Sequence, residues 1–168
     1  MLIIRKLNPK KDITTKYQKW MNDPEVQKYT EQKYKKSSIK NIKKFVEEKN
    51  RSNKEFLFGI FLKEKKKITH IGNIKLGPIN FVHNTAEISY FIGEKNLWGK
   101  GYTTKAIKKI INLARKKKIK KLKAGFYQMN KGSKKVLEKN GFKIEGKFKS
   151  EVKYNNKRYS THWYGKIL

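Results

Sequence analysis

The stretch TAEISYFIGEKNLWGKGYTTKAIKKIINLAR, residues 85–115, decides how the rest of the chain is read. Ala86, Ile88, Tyr90 and Ile92 fall on one face and Glu87, Ser89 and Phe91 on the other, the period of two of extended chain. Asn96-Leu97-Trp98-Gly99-Lys100-Gly101 then breaks that alternation. From Tyr102 onward Ala106, Ile107, Ile110, Ile111, Leu113 and Ala114 keep the three-to-four spacing of an amphipathic helix. The stretch predicts strand, glycine loop, helix.

A glycine loop that opens a helix leaves backbone N–H groups without partners at the positive end of the helix dipole, and so favours an anion such as phosphate. Glycine allows close approach of the backbone and supplies positive φ where the loop needs it. The spacing fits neither G-x-x-x-x-G-K-[ST] nor G-x-G-x-x-G. By itself G-x-G is equally a plain strand-to-helix turn.

Working outward, Leu2 to Leu7 reads as a strand closed by Asn8-Pro9. Asp12 offers a cap for a helix with the stripe Ile13, Tyr17, Trp20, Met21, ending at Asn22-Asp23-Pro24; a second helix follows Ser37 or Ser38 and ends near Asn50. Glu55 to Leu62 and Ile68 to Leu76 read as a hairpin around Lys63–Lys67, with Gly77-Pro78 ending or bending the second strand. Ile119 to Tyr127 suits a strand parallel to the one at Ala86–Ile92, giving a strand-helix-strand crossover. Asn130 is placed to cap a helix that Asn140-Gly141 closes. Phe142 to Phe148, Glu151 to Tyr154 and Arg158 to Lys166 read as strands, with Asn155-Asn156 as a turn. The expected fold class is α+β: a mixed, mostly antiparallel sheet flanked by helices, with one parallel crossover near its middle. Residues 1–168 have the length of one ordinary domain.

Three segments, in order, resemble the GCN5-related N-acetyltransferase (GNAT) superfamily. The loop at Asn96 resembles its Q/R-x-x-G-x-G/A pyrophosphate loop, with Asn96 in place of Gln or Arg. Asn130 to Phe142, NKGSKKVLEKNGF, is similar to the later N-x-x-S-x-x-x-[LY]-E-K-x-G-F segment. Trp20 to Val26, WMNDPEV, is similar to the W-x-N-D-P-x-V signature of the branch with ribosomal-protein and amino-sugar N-acetyltransferases.

The resemblance implies acetyl-CoA as donor, splayed central strands, and direct transfer to a primary amine. It implies backbone contacts to the cofactor from Tyr90, Phe91 and Ile92, and a pyrophosphate held by Leu97, Trp98, Gly99, Lys100, Gly101, Tyr102, Thr103 and Thr104. Asn130 would bond the pantetheine, and Ser133 would protonate the leaving thiolate; helix capping is the plainer role for both. Trp20, Asn22 and Tyr29 are candidates to touch the acceptor, although the spacing of Trp20 also suits core packing. An ammonium must lose a proton before it attacks. Glu87, a carboxylate in a central strand, is the candidate general base, or else half of an ion pair with a lysine. Where Lys105 stands, family members often have Glu.

Composition narrows the classes. The absence of cysteine excludes disulfides, thiolate metal sites and a cysteine acyl-enzyme, and His70, His83 and His162 are too scattered for a metal cluster. No apolar run approaches the ~18 residues of a membrane span, and the first residues lack a signal-peptide pattern, so a cytoplasmic protein is expected. The formal net charge of +31 invites a nucleic-acid reading. All the basic residues but Arg5, Arg51, Arg115 and Arg158 are lysine, spread over every segment, as an A/T-rich genome would also produce. The charge therefore predicts attraction of polyanionic ligands, with no specific nucleic-acid partner and no membrane. The leading acceptor is a nucleotide-linked amino sugar or similar small metabolite. The alternatives are a protein N-terminus, or a non-catalytic acyl-CoA sensor or basic nucleic-acid module. Monomer and homodimer both stay open.

Overall fold

The deciding stretch folds as β4 (Thr85–Ile92) and α3 (Tyr102–Lys116), joined by a 3-10 turn at Lys95–Leu97 and the two glycines. The computed structural model describes residues 1–168. Before β4 come β1 (Leu2–Lys6), α1 (Thr15–Asn22), a 3-10 turn (Glu31–Tyr34), α2 (Ile39–Arg51), β2 (Phe56–Glu64) and β3 (Lys67–Asn80). After α3 come β5 (Lys121–Tyr127), α4 (Lys131–Lys139), β6 (Lys143–Tyr154) and β7 (Lys157–Ile167). Seven strands form one sheet in the order β1-β2-β3-β4-β5-β7-β6, and only β4 and β5 run parallel, because α3 returns the chain to the same edge. The architecture is a mixed α+β sheet flanked by helices. No helix is long and apolar enough to cross a membrane.

Two cores sit on the sheet. The α3 stripe Ala106, Ile107, Ile110, Ile111 and Ala114 packs with Ile74, Ile88 and Leu122, and Leu137 of α4 joins them. Tyr17, Trp20, Ile42 and Val46 of α1 and α2 pack with Leu57 and Phe61. Alternation along β4 thus directs Ile88 to the α3 core, while Phe91, on the opposite face, packs beside the α1–α2 core.

Local chemistry moved several boundaries. Thr14, not Asp12, caps α1, its Oγ1 accepting from the Tyr17 amide. Asp12 instead accepts from the Arg5 guanidinium at 2.7 and 2.8 Å and from the Asn8 amide at 2.6 Å. Gly77-Pro78 does not end β3; the ladder skips over the proline, which has no N–H to give, and resumes at Ile79 opposite Ala86. Ile119 is buried but lies before β5. The two expected strands at 142–154 are one, β6, interrupted by irregularities against β7. Asn155 and Asn156 both take positive φ, as a tight hairpin turn demands.

Acid should loosen this fold in two stages. The His70 ring stacks on Phe61 at 4.7 Å, with Tyr17 and Trp20 at its edges, and its Nε2 donates to the Gly72 and Asn73 oxygens. Burial pushes the His70 pKa below its ordinary value, against the pull of those two acceptors. Burial would raise the Asp12 carboxyl, but Arg5 and the Asn8 amide outweigh it and hold it below the usual range. Both folded-state values are depressed, so stability is full above the unfolded values and falls as each group protonates, His70 from about pH 6.5 and Asp12 from about pH 4. His70→Gln should remove the fall in Tm between about pH 7 and about pH 5 and keep the lower one; an unchanged upper slope would disprove the assignment.

Candidate active site

The parallel pair is where the sheet opens. β4 and β5 pair only at Thr85–Glu87 with Lys121–Lys123; beyond that they part, and β5 continues from Ala124 to Tyr127 against β7 alone. A cavity of about 480 Å³ lies at the parted end, lined among others by Tyr90, Phe91, Ile92, Leu97 and Trp98, the first turn of α3, and Asn130 and Ser133 of the α4 entry.

The loop is built to receive an anion. Gly99 and Gly101 stand at φ 75 and 78, the left-handed region that other side chains resist. Gly101 caps α3 without a side chain, and the amides of Gly99, Gly101, Tyr102, Thr103 and Thr104 donate to no carbonyl in the protein. A Cβ at either glycine would meet no protein atom within 4 Å, so it is backbone conformation and access to these amides, not packing, that call for glycine. Trp98 closes one side by donating from Nε1 to the Ile92 carbonyl at 2.8 Å.

At the opposite wall Asn130 Oδ1 accepts from the Ser133 amide at 2.9 Å and caps α4. The Ser133 hydroxyl lies 2.9 Å from the Tyr90 hydroxyl. Burial pushes the Tyr90 pKa well above its ordinary value, outweighing the opposite pull of Ser133, so the phenol keeps its proton at neutral pH. With Tyr90 as the donor of this bond, the serine proton is free to point into the cavity. Period two placed Tyr90 on this face; its pairing with a residue on α4 was not visible in the sequence.

Other expected site residues go elsewhere. Glu87 sits where β4 and β5 are still paired, on the sheet face opposite Tyr90; its side chain is 39% exposed, 3.9 Å from Lys123, and lines a different hollow with Phe81 and Val82. Trp20 is 6% exposed and donates to Glu94, and a Cβ on Gly93 would strike its ring at 2.1 Å, so it fills core. Both ends of the Asn22 amide bind backbone, donating to Gln18 and Ser37 and accepting from Ser37, which ties α1 to the loop before α2; Asn22 lines a second, neighbouring cavity rather than this one. Lys100 is exposed and outside the cavity wall. Tyr29 does line the cavity.

A second cavity of about 880 Å³ adjoins the first, sharing Lys28, and is lined by Lys33, Lys35, Lys36 and Lys153, with Tyr34 and Tyr154 as its rings. These residues come from the turn before α2 and from the β6–β7 hairpin, and nothing in their local sequence sets them apart from the other lysines and tyrosines. No group of three or more His, Cys, Asp or Glu side chains stands together in the structure.

A row of free amides at a helix N-terminus, beside two parted parallel strands, suits an anionic ligand such as a diphosphate. The chain belongs to the GNAT acetyltransferase family, whose acetyltransferase (GNAT) domain matches residues 1–143. It is 35% identical over 111 residues to the probable N-acetyltransferase YjcK of Bacillus subtilis (strain 168), a match that spans 65% of this chain and 60% of that relative's length. It superposes on RimL, a ribosomal L7/L12 α-N-protein acetyltransferase in complex with coenzyme A, with a TM-score of 0.85 at 19% identity, over 99% of this chain and 94% of the other. Spermidine N-acetyltransferase from Vibrio cholerae, in complex with CoA and spermine, superposes with a TM-score of 0.84 at 20% identity, over 99% and 95%. At such identities the likeness of the two structures is one of fold. The donor of GNAT enzymes is acetyl-CoA, and the free amides between Gly99 and Thr104 suit its pyrophosphate.

Proposed function

We propose that this protein transfers acetyl from acetyl-CoA directly to a primary amine carried by an anionic small molecule, with a nucleotide-linked amino sugar as the leading acceptor. The observation that carries the acceptor class is the lysine-lined cavity beside the donor cavity. Several ammonium groups around one hollow favour phosphate-bearing guests and repel polycations. A protein N-terminus lacks the phosphate that these ammonium groups match.

In this reading the amides from Gly99 to Thr104 hold the pyrophosphate, and the parted edge of β4 at Tyr90, Phe91 and Ile92 receives the pantetheine arm. One amide of that edge can polarise the thioester carbonyl. Asn130 keeps α4 in register while bonding the arm. The acceptor ammonium gives one proton to water before its nitrogen attacks, and the second leaves the nitrogen as the C–S bond breaks. Ser133 gives its proton to the departing sulfur and regains one from solvent. The chain has no cysteine to carry an acyl group, and direct transfer is the simplest route.

A thiol-release assay over nucleotide amino sugars, N-terminal peptides and polyamines tests the acceptor class. Nucleotide amino sugars should give the highest kcat/KM, and raising salt from about 0.1 M to about 1 M, where the screening length falls from roughly 10 Å to roughly 3 Å, should lower it. Equal or better turnover of polyamines or peptides would reject the acceptor class. Acetyl-CoA binding with no turnover of any amine would reject the enzyme in favour of a sensor.

A further inference from the structure

Lys33 is treated unlike any other lysine in the chain. Its Nζ lies 4.4 Å from the centroid of the Tyr127 ring, 4.8 Å from that of Tyr34 and 5.1 Å from that of Tyr154. The Tyr34 and Tyr154 rings stand at cation–π range, and Tyr127 meets the same ammonium with its hydroxyl edge, so that three tyrosines enclose one cation. The Nζ also donates to the Tyr127 hydroxyl at 3.1 Å, and that hydroxyl donates to Glu31 at 2.5 Å. Tyr127 is 6% exposed; burial first, and Glu31 next, push its pKa well up, so it stays a phenol that donates to the carboxylate and accepts from a cation.

The cage stands between the two cavities. Tyr127 is the last residue of β5, at the open end of the parted strands. Tyr29, which lines the donor cavity, touches both Tyr127 and Tyr154 with ring centroids at 6.2 and 6.4 Å. Lys33, Tyr34 and Tyr154 line the basic cavity. Lys33 itself rides on a four-residue 3-10 turn with no buried residue, a segment that can shift at small cost, whereas Tyr127 is anchored in the sheet.

We propose that the cage of Tyr34, Tyr127 and Tyr154, completed by Glu31, is the seat of the acceptor's primary ammonium, and that Lys33 is its built-in occupant, displaced when an acceptor enters. The proposal deepens the acetyl-transfer reading by naming where the amine sits, and only the word acceptor rests on that reading. An alkylammonium on a tetrahedral carbon fits a seat already shaped around a lysine; a planar amidinium lacks its compact head, and an aromatic amine lacks its charge. An internal occupant also keeps three tyrosines and a carboxylate matched until a substrate arrives.

The test uses n-butylammonium, the side chain of lysine without its backbone, measured by calorimetry on the full chain at fixed salt. Lys33→Ala should bind it about tenfold more tightly than wild type, as expected when an internal competitor holds the seat for most of the time. Lys33→Arg, which keeps a cation in the cage, should bind as weakly as wild type. Lys33→Ala with Glu31→Gln should lose the gain. Equal binding in wild type and Lys33→Ala, or an undiminished gain in the double variant, would overturn the seat. With acetyl-CoA present, Lys33→Ala should also release thiol with n-butylamine faster than wild type. If Lys33→Ala binds butylammonium yet does not acetylate it, while wild type turns over another amine, the acceptor assignment is overturned. If no variant acetylates any amine while butylammonium still binds, the acetyl-transfer reading fails and the ammonium site survives.

Discussion

Ser133→Ala is expected to lower kcat by about 100-fold, the low end of what a positioned proton donor contributes, with the affinity for acetyl-CoA nearly unchanged. The substitution spares the architecture, because Asn130 caps α4 through the Ser133 backbone amide and not its hydroxyl. What disappears is the proton offered to the departing sulfur. Acetyl thioesters of more acidic thiols should therefore recover much of the loss, since their thiolates leave without help. Tyr90→Phe should act in the same direction and more weakly, roughly tenfold, the value of one hydrogen bond that orients the serine. Wild-type kcat in Ser133→Ala, or a loss that does not depend on the leaving thiol, would remove Ser133 from the reaction.

The second large effect belongs to the loop. Gly101→Val places a β-branched residue at φ 78, where L-residues are strained by ~1–2 kcal/mol, and puts methyl groups over the free amides. Coenzyme A should bind roughly 100-fold more weakly, the loss of one or two charge-assisted bonds plus the strain. Gly146→Ala is the control: it lies in β6, a Cβ there meets nothing within 4 Å, and coenzyme affinity should not move. Titration of both variants with coenzyme A decides the matter, and wild-type affinity in Gly101→Val would mean that the diphosphate is held elsewhere.

Much of this site was legible because its parts are local. The switch of period at Asn96, the two glycines and the Asn130 cap each depend on residues a few positions apart, and the family resemblance rests on the same segments. Depth along a strand is not local. Alternation assigns Glu87 a face, but where β4 leaves β5 depends on how far the ladder from Thr85 to Glu87 runs before the strands part. Trp20 shows the opposite difficulty: a motif marked it as a site residue, while its helical spacing placed it in the core, and packing against Gly93 and Glu94 follows the spacing. The tyrosine cage was out of reach, because Lys33, Tyr127 and Tyr154 come from three distant segments that only the folded sheet and hairpin bring together, the Lys33 ammonium standing 4.4 and 5.1 Å from the two ring centroids.

The hairpin of β6 and β7 supplies Lys153, Tyr154, Asn155 and Asn156 to the basic cavity, and nearly every residue of β6 is open to solvent. The donor machinery draws nothing from that hairpin. The tip of this hairpin can thus drift, lengthen or be exchanged at little cost in folding, while β7 stays held against β5. On the proposed reading, a change of acceptor would need only that protruding tip rewritten.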